Sequence, residues 1–364
     1  MTASAYNADK SFSASSSFFF TRRKLLSAAA ALPLLHAIPS FADDRNAPQN
    51  RVKLRLGYWT SGISLGIGSV LEARAEEFFG PLGLDVSFLK FPDSTGPVRA
   101  FASGSIDVAF AAPISGVLNS SASGVPLRVI AATQPAEVQF VVPADSPIKS
   151  LADLRGKKVA MSPAGSAAAV LAQAILSENY GIGPRDFTLV GGNEGRLVQF
   201  LAQRQVDAAA LRIVTIAQFE KKLNVRRLSS FGEEWTKLTK SSSNALPYLA
   251  VTTTTKDLAE KTPEIAARLL AGFQNALDWG LENPKDVAAT LQKAANMSAD
   301  NARIYASLWK SMNRVAFEKT DIDTLNRQRA IFEKAGLFKG TPDPALFDTK
   351  PYGLFKANRA KFRG

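Results

Sequence analysis

Residues 88–112 can be laid over residues 188–212 without a gap, pairing Val98 with Val198, Phe101 with Leu201, Ala102 with Ala202, Ile106 with Val206 and Asp107 with Asp207. A unit that recurs at a fixed offset constrains the fold more than composition does. In each copy a short strand turns into a helix of apolar spacing. A second turn then leads to Ile106-Asp107-Val108-Ala109-Phe110 or to Val206-Asp207-Ala208-Ala209-Ala210, both apolar runs of the buried-strand type. Each copy reads as a β-α-β unit. Upstream, residues 52–58 and 158–161 also read as strands. Thr60-Ser61-Gly62 follows the first, before a helix through Leu71 and Phe78; residues 162–166 follow the second, before Val170 to Leu176. The sequence therefore predicts two half-molecules, each a mostly parallel α/β sheet flanked by helices.

The remainder predicts helices. Thr262-Pro263 places a cap and a first-turn proline ahead of Ile265, Leu269, Phe273, Leu277 and Leu281 on one stripe, and Asn283-Pro284 ends that helix and starts the next. Ser298 and Thr320 are expected caps of two further helices, and Gly336 the stop of the last.

The first 42 residues have the order of an export signal. Thr21-Arg22-Arg23-Lys24-Leu25-Leu26 supplies the cationic patch, Leu25 to Ile38 the apolar stretch, and Ser40 and Ala42 the small residues three and one before a cut after Ala42. The paired arginines fit a twin-arginine signal, with the general secretory route as the alternative. Either route predicts a periplasmic product, and no run after residue 42 approaches the roughly 20 apolar residues of a spanning helix. The leader holds a net charge of +3, leaving +9 of the total +12 for the mature chain. The basic residues are dispersed, with no aromatic-rich basic motif, which argues against nucleic acid and for anionic ligands or an acidic docking surface. The chain has no cysteine, and its one histidine, His36, lies in the leader. The mature protein thus lacks a thiolate, the commonest general base and the commonest metal ligand, and neither metal nor cofactor is expected.

Three stretches carry a family likeness. They are Leu54 to Tyr58 with Ser61-Gly62; Ala102-Ser-Gly-Ser-Ile-Asp107; and Ser146-Pro-Ile-Lys-Ser-Leu-Ala-Asp-Leu-Arg-Gly-Lys-Lys-Val159 with Gly165-Ser166. With these the chain resembles the binding proteins of nitrate, sulfonate, taurine and pyrimidine-precursor ABC importers, over essentially the whole mature sequence. The resemblance implies a two-lobed, type II-like periplasmic-binding-protein fold with a ligand cleft between the lobes. The chain would cross near Val141 to Ser146 and return near Ala245 to Val251. Residues 52–143 with 247–364 would form the first lobe and 144–246 the second, with 1–42 removed. It implies a monomeric substrate-binding component that captures a small anionic or zwitterionic solute, sulfonate- or sulfate-ester-like, by lobe closure and delivers it to a permease with its ATPase. An enzyme of the same fold acting on a pyrimidine or carboxylate is the alternative, weakened because the pyrimidine-forming relatives rely on histidines. A sensor or scavenger is a third reading.

Ligands of open α/β sheets bind beyond the carboxyl ends of strands, so the candidate residues are those of the turns that follow each strand. In the first lobe these are Trp59, Thr60, Ser61, Gly62, Phe91, Pro113, Ser115, Thr133 and Gln134. In the second they are Ser162, Gly165, Ser166, Ala167, Asn193, Glu194 and Arg212. Ser61-Gly62 and Gly165-Ser166 open helices, where free N–H groups attract an anion; the alternative is that both serines only cap. Trp59 is expected to pack on an organic ligand and donate from its indole, or else to be an ordinary lobe aromatic. Arg212 is expected either to pair with an anionic ligand or to form a surface salt bridge, and Glu194 either to bind an amine or to be a solvated first-turn carboxylate. Tyr248 is read as a hinge or rim residue. Relatives often carry aromatic-Asp-Pro where this chain has Leu211-Arg212-Ile213, which points to a site of its own. Trp59, Ala112 and Ala167 suggest room for an organic tail.

Overall fold

The computed structural model describes residues 51–60, 62–92, 95–220, 222–240 and 246–363. The expected export signal and its cleavage site, and Ser61, lie outside the described residues. Ten strands are needed to follow the topology: β1 Val52–Trp59, β2 Leu84–Phe91, β3 Val108–Pro113, β4 Leu127–Pro135, β5 Val138–Pro143, β6 Lys158–Met161, β7 Thr188–Gly191, β8 Ala208–Arg212, β9 Val225–Ser230 and β10 Tyr248–Thr255. They form two five-stranded sheets, ordered β2-β1-β3-β10-β4 and β7-β6-β8-β5-β9.

The repeat is realised strand for strand. Helices Gly62–Ala73, Gly96–Ala102 and Ile114–Ala122 follow β1, β2 and β3, as Ala167–Tyr180, Glu194–Ala202 and Ile213–Gln218 follow β6, β7 and β8. The paired aspartates do the same work in both copies. Asp107 Oδ2 accepts from the Arg55 amide at 2.8 Å, and Asp207 Oδ2 accepts from the Lys158 amide at 2.8 Å. The Asp107 and Asp207 amides return hydrogen bonds to the Arg55 and Lys158 carbonyls at 2.8 and 2.9 Å. Each aspartate thus fixes where the third strand of its copy meets the first.

Each sheet is mixed rather than parallel throughout. In both, the fourth strand in order, β10 or β5, runs antiparallel to its two neighbours. These two are the crossing strands, and they correct the expected lobe boundary. Residues 138–143 were assigned to the first lobe, but as β5 they hydrogen-bond to β8 and β9 in the second sheet. The polar break Thr133-Gln134-Pro135-Ala136-Glu137 marks the passage in the sequence, but the strands on both sides of it are apolar and buried, so nothing in their pattern assigns either to one sheet. The outward passage therefore falls at Ala136-Glu137, where the Ala136 amide donates to the Pro247 carbonyl and the Ile213 amide to the Glu137 carbonyl, at 2.7 and 3.0 Å. The return passage ends at Pro247, before β10 enters the first sheet.

Helix Pro263–Glu282 backs the first sheet, its Phe273 ring 4.7 Å from that of Phe110 and 5.8 Å from that of Phe79. Thr262 holds the cap position, but its hydroxyl donates to Leu258 at the end of the preceding helix. Ser298 caps helix Ala299–Ser307 as expected. Thr320 does not cap: helix Lys319–Lys334 starts two residues earlier than that cap implies, from a reciprocal box between Glu318 and Asp321. A carboxylate at the cap with another three residues on satisfies both free amides and outcompetes the lone hydroxyl. Gly336, at φ +69°, ends that helix. Within it Gln328 accepts from the Tyr248 amide and donates to the Tyr248 carbonyl, at 2.7 and 2.8 Å, clamping the root of the return strand.

Candidate functional site

A cleft of about 550 Å³ lies between the carboxyl ends of the two sheets. On the first lobe it meets Trp59, Ser64, Thr95, Val98, Arg99, Ala111, Pro113 and Ser115, the helix face carrying Gly116, Asn119 and Ser120, and Gln134 on the floor. On the second lobe it meets residues 162–168, Gly192, Asn193, Glu194 and Arg212, and Leu249 and Ala250 of β10 complete the lining.

Eleven of the sixteen candidate residues therefore share this one surface: Trp59, Pro113, Ser115, Gln134, Ser162, Gly165, Ser166, Ala167, Asn193, Glu194 and Arg212. Four others do not reach it. Thr60 donates from both its amide and its hydroxyl to the Phe91 carbonyl, tying the end of β1 to the end of β2. Phe91 supplies that carbonyl while its ring fills the space beside Gly57 and Gly96. Thr133 is buried beneath the cleft and shares a hydrogen bond with Thr252 at 2.8 Å. Gly62 opens its helix at φ +56°, a conformation that favours glycine. Ala112 is fully buried and gives the cleft no room, whereas Ala167 lines it. Tyr248 is not a rim residue but is buried at the start of β10: its hydroxyl donates to Asp321, and burial with that carboxylate pushes the phenol well above its ordinary range.

The second lobe brings charge to the cleft. Arg212 Nη1 donates to Glu194 Oε1, and Thr215 Oγ1 donates to Glu194 Oε2 at 2.6 Å. The Arg212 and Glu194 side chains are only 14% and 20% exposed. The expected surface salt bridge of Arg212 exists, but within the cleft wall, and its partner is the other candidate residue. Arg212 Nε and Nη2 have no partner among the described residues. Ser166 caps helix Ala167–Tyr180, its hydroxyl accepting from the Ala169 amide, which leaves the amides of Ala167 and Ala168, both in the lining, without an intrahelical acceptor. Asn193 caps helix Glu194–Ala202 in the same way. On the facing lobe, helix Ile114–Ala122 begins after Pro113 with no side-chain cap, so its first amides are also unsatisfied.

On the first lobe the charged residue of the lining is Arg99, whose Nη1 donates to Thr95 Oγ1 at 2.6 Å, and neutral polar groups cover the rest. Gln134 Nε2 donates to Ser64 Oγ at 3.2 Å, and both are buried in the floor. Ser115 and Ser162, 8% and 9% exposed, belong to the lining of the first and second lobe, and their hydroxyls have no hydrogen-bond partner among the described residues. The indole of Trp59 does not donate into the cleft: Nε1 gives its hydrogen to the Pro92 carbonyl at 3.2 Å, so the ring offers only its apolar surface. Among the described residues no group of three or more His, Cys, Asp or Glu side chains comes together, and no helix is long and apolar enough to cross a membrane.

Thr95, Val98, Arg99, Asn119 and Ser120 were missed by reasoning from the sequence. The signals were present. The repeat matches Thr95 to Gly195 at the mouth of the second copy's helix, and Ser115, Gly116, Asn119 and Ser120 form a small and polar stripe at helical spacing.

A relative from Brucella abortus (strain 2308), described as a binding protein, is 25% identical over 313 residues, covering 84% of this chain and 92% of the relative. The periplasmic aliphatic sulphonate binding protein SsuA of Escherichia coli superposes with a TM-score of 0.65 at 20% identity, over 82% of this chain and 91% of that one. The desulfurization enzyme DszB superposes with a TM-score of 0.57 at 15% identity, over 85% of this chain and 100% of the other. The shared fold is thus the two-lobed α/β architecture of the periplasmic binding proteins. Residues 67–287, more than half of the 364, match the model described as NMT1/THI5 like, and the chain belongs to the NMT1/THI5-like family.

Proposed function

We propose that the protein is the solute-binding component of an ABC-type import system, exported with removal of its leader near Ala42, and that it captures a small anionic organic solute between its lobes. One observation carries this reading. Matching turns of both repeat copies meet at a single cleft of about 550 Å³, the size that encloses a small organic molecule. The remaining donors of Arg212, the free amides at the starts of helices Ala167–Tyr180 and Ile114–Ala122, and the hydroxyls of Ser115 and Ser162 supply hydrogen bonds to an anionic group. Trp59, Val98, Pro113 and Leu249 supply apolar surface for a tail. The likeness to the aliphatic sulphonate binding protein of Escherichia coli supports a sulfonate or sulfate ester as the solute class. A ligand that contacts both lobes shifts the population towards the closed arrangement, the form a permease recognises.

The test is thermal unfolding of the mature protein against alkanesulfonates, sulfate esters, carboxylates and pyrimidines, with mass spectrometry of the solute afterwards. A solute at 100 times its dissociation constant adds about 2.7 kcal/mol of stability. A shift for one anionic class with the solute recovered intact is the expected result. A solute recovered chemically altered would instead put the chain with the enzymes of this fold.

A further inference from the structure

We infer that Glu194 sets the charge selectivity of the cleft, admitting a solute with one negative charge and turning away one with two. The inference rests on the proposed solute-binding role of this cleft. Glu194 is the first residue of its helix and is held from two sides, by Arg212 Nη1 and by the buried hydroxyl of Thr215. The carboxylate is therefore held in the wall through both of its oxygens. Arg212 retains Nε and Nη2 for a single anionic group, which sits against a guanidinium already half neutralised. A second negative group confined to the same cleft meets the Glu194 carboxylate, where like charges repel, while the remaining cation of the lining, Arg99, stands on the facing lobe and already donates to Thr95. The device is confined to one lobe: the repeat places Ser94 and Ala112 at the positions matching Glu194 and Arg212.

Two matched probe pairs, ethanesulfonate with sulfoacetate and butyrate with succinate, are titrated calorimetrically into the wild-type protein, Glu194→Gln and Thr215→Val. Each protein is first checked for a cooperative melt. The wild type is expected to bind a monoanion at least tenfold tighter than its dianionic partner. Glu194→Gln is expected to reduce or invert that ratio by at least tenfold. Thr215→Val keeps the charge but frees the carboxylate, and is expected to fall between the two. A wild-type protein that binds a monoanion while Glu194→Gln keeps the same ratio overturns the inference and leaves the solute-binding role intact. A wild type that binds the dianion as tightly as the monoanion also overturns it. No heat from any probe in any of the three proteins overturns both.

Discussion

Arg212 shows how a residue's partners decide what it does. Its place at the end of an apolar strand was legible in the sequence, but its pairing with Glu194, eighteen residues earlier, was not, because only the register of β7 and β8 on either side of β6 brings the two together. Arg212→Ala removes the anion donors and leaves Glu194 uncompensated in the wall. Affinity for an anionic solute should fall by at least about tenfold, since hydrogen bonds to charged groups contribute about 1.5–3 kcal/mol each. Calorimetric titration checks this; an unchanged affinity would remove Arg212 from the site. Trp59 lines the cleft at the end of β1, while the use of its indole N–H by Pro92 depends on a backbone carbonyl that no sequence pattern marks. At the crossing, Gln328 is fully buried and holds both backbone groups of Tyr248. Gln328→Ala orphans two buried backbone groups and should cost about 1–3 kcal/mol each at most, read in denaturant melts.

Among the elements, helix Gly62–Ala73 carries a contact that fixes the floor of the cleft. The Tyr305 hydroxyl donates to the Ile63 carbonyl and accepts from the Ile67 amide, so it lies between two groups that would otherwise bond each other in the helical ladder. Gly66 permits this approach: a Cβ there would lie 2.2 Å from the Tyr305 ring. Gly66→Ala should therefore destabilise the protein by about 1–3 kcal/mol through overpacking, and a melting curve unchanged from wild type would contradict the packing described. In the second lobe, helix Phe231–Thr239 is tied to helix Ala167–Tyr180 through the buried Glu234, which accepts from Asn179, Tyr180, Ser229 and Lys237. Burial works against the charged form, but these four donors prevail and hold the carboxyl below its ordinary range. A lowered carboxyl pKa contributes stability above the unfolded value of about 4.3 and loses it as pH falls through the folded value. Glu234→Gln should lower stability at pH 7 and flatten its decline in acid below about pH 4.3, measured by denaturant melts across pH. The elements themselves were largely legible, because a duplicated pattern fixed their order and the two aspartates marked equivalent strands. The sheet to which 138–143 belongs was not, since burial on both faces erases the alternation that assigns a strand to one core.

At the scale of the whole molecule, the two sheets exchange their antiparallel strands, and the passages at Ala136-Glu137 and Pro247 join the lobes beneath the cleft. The same fold serves binding proteins and an enzyme, so function here rests on the site rather than the architecture. A second hollow of about 500 Å³ lies elsewhere, between Ala217, Gln218 and Glu220 of the second lobe and the helix Ala299–Ser307, including Ser307. The central claim is that the solute enters the first cleft and not this one. The direct test is calorimetric titration of a solute identified by the thermal panel into two variants, each filling one hollow from an exposed position. Ala164→Trp fills the interlobe cleft and Ser307→Trp the other. The account predicts that Ala164→Trp loses binding while melting like the wild type and that Ser307→Trp binds as the wild type does. Binding retained by Ala164→Trp and lost in Ser307→Trp would contradict it.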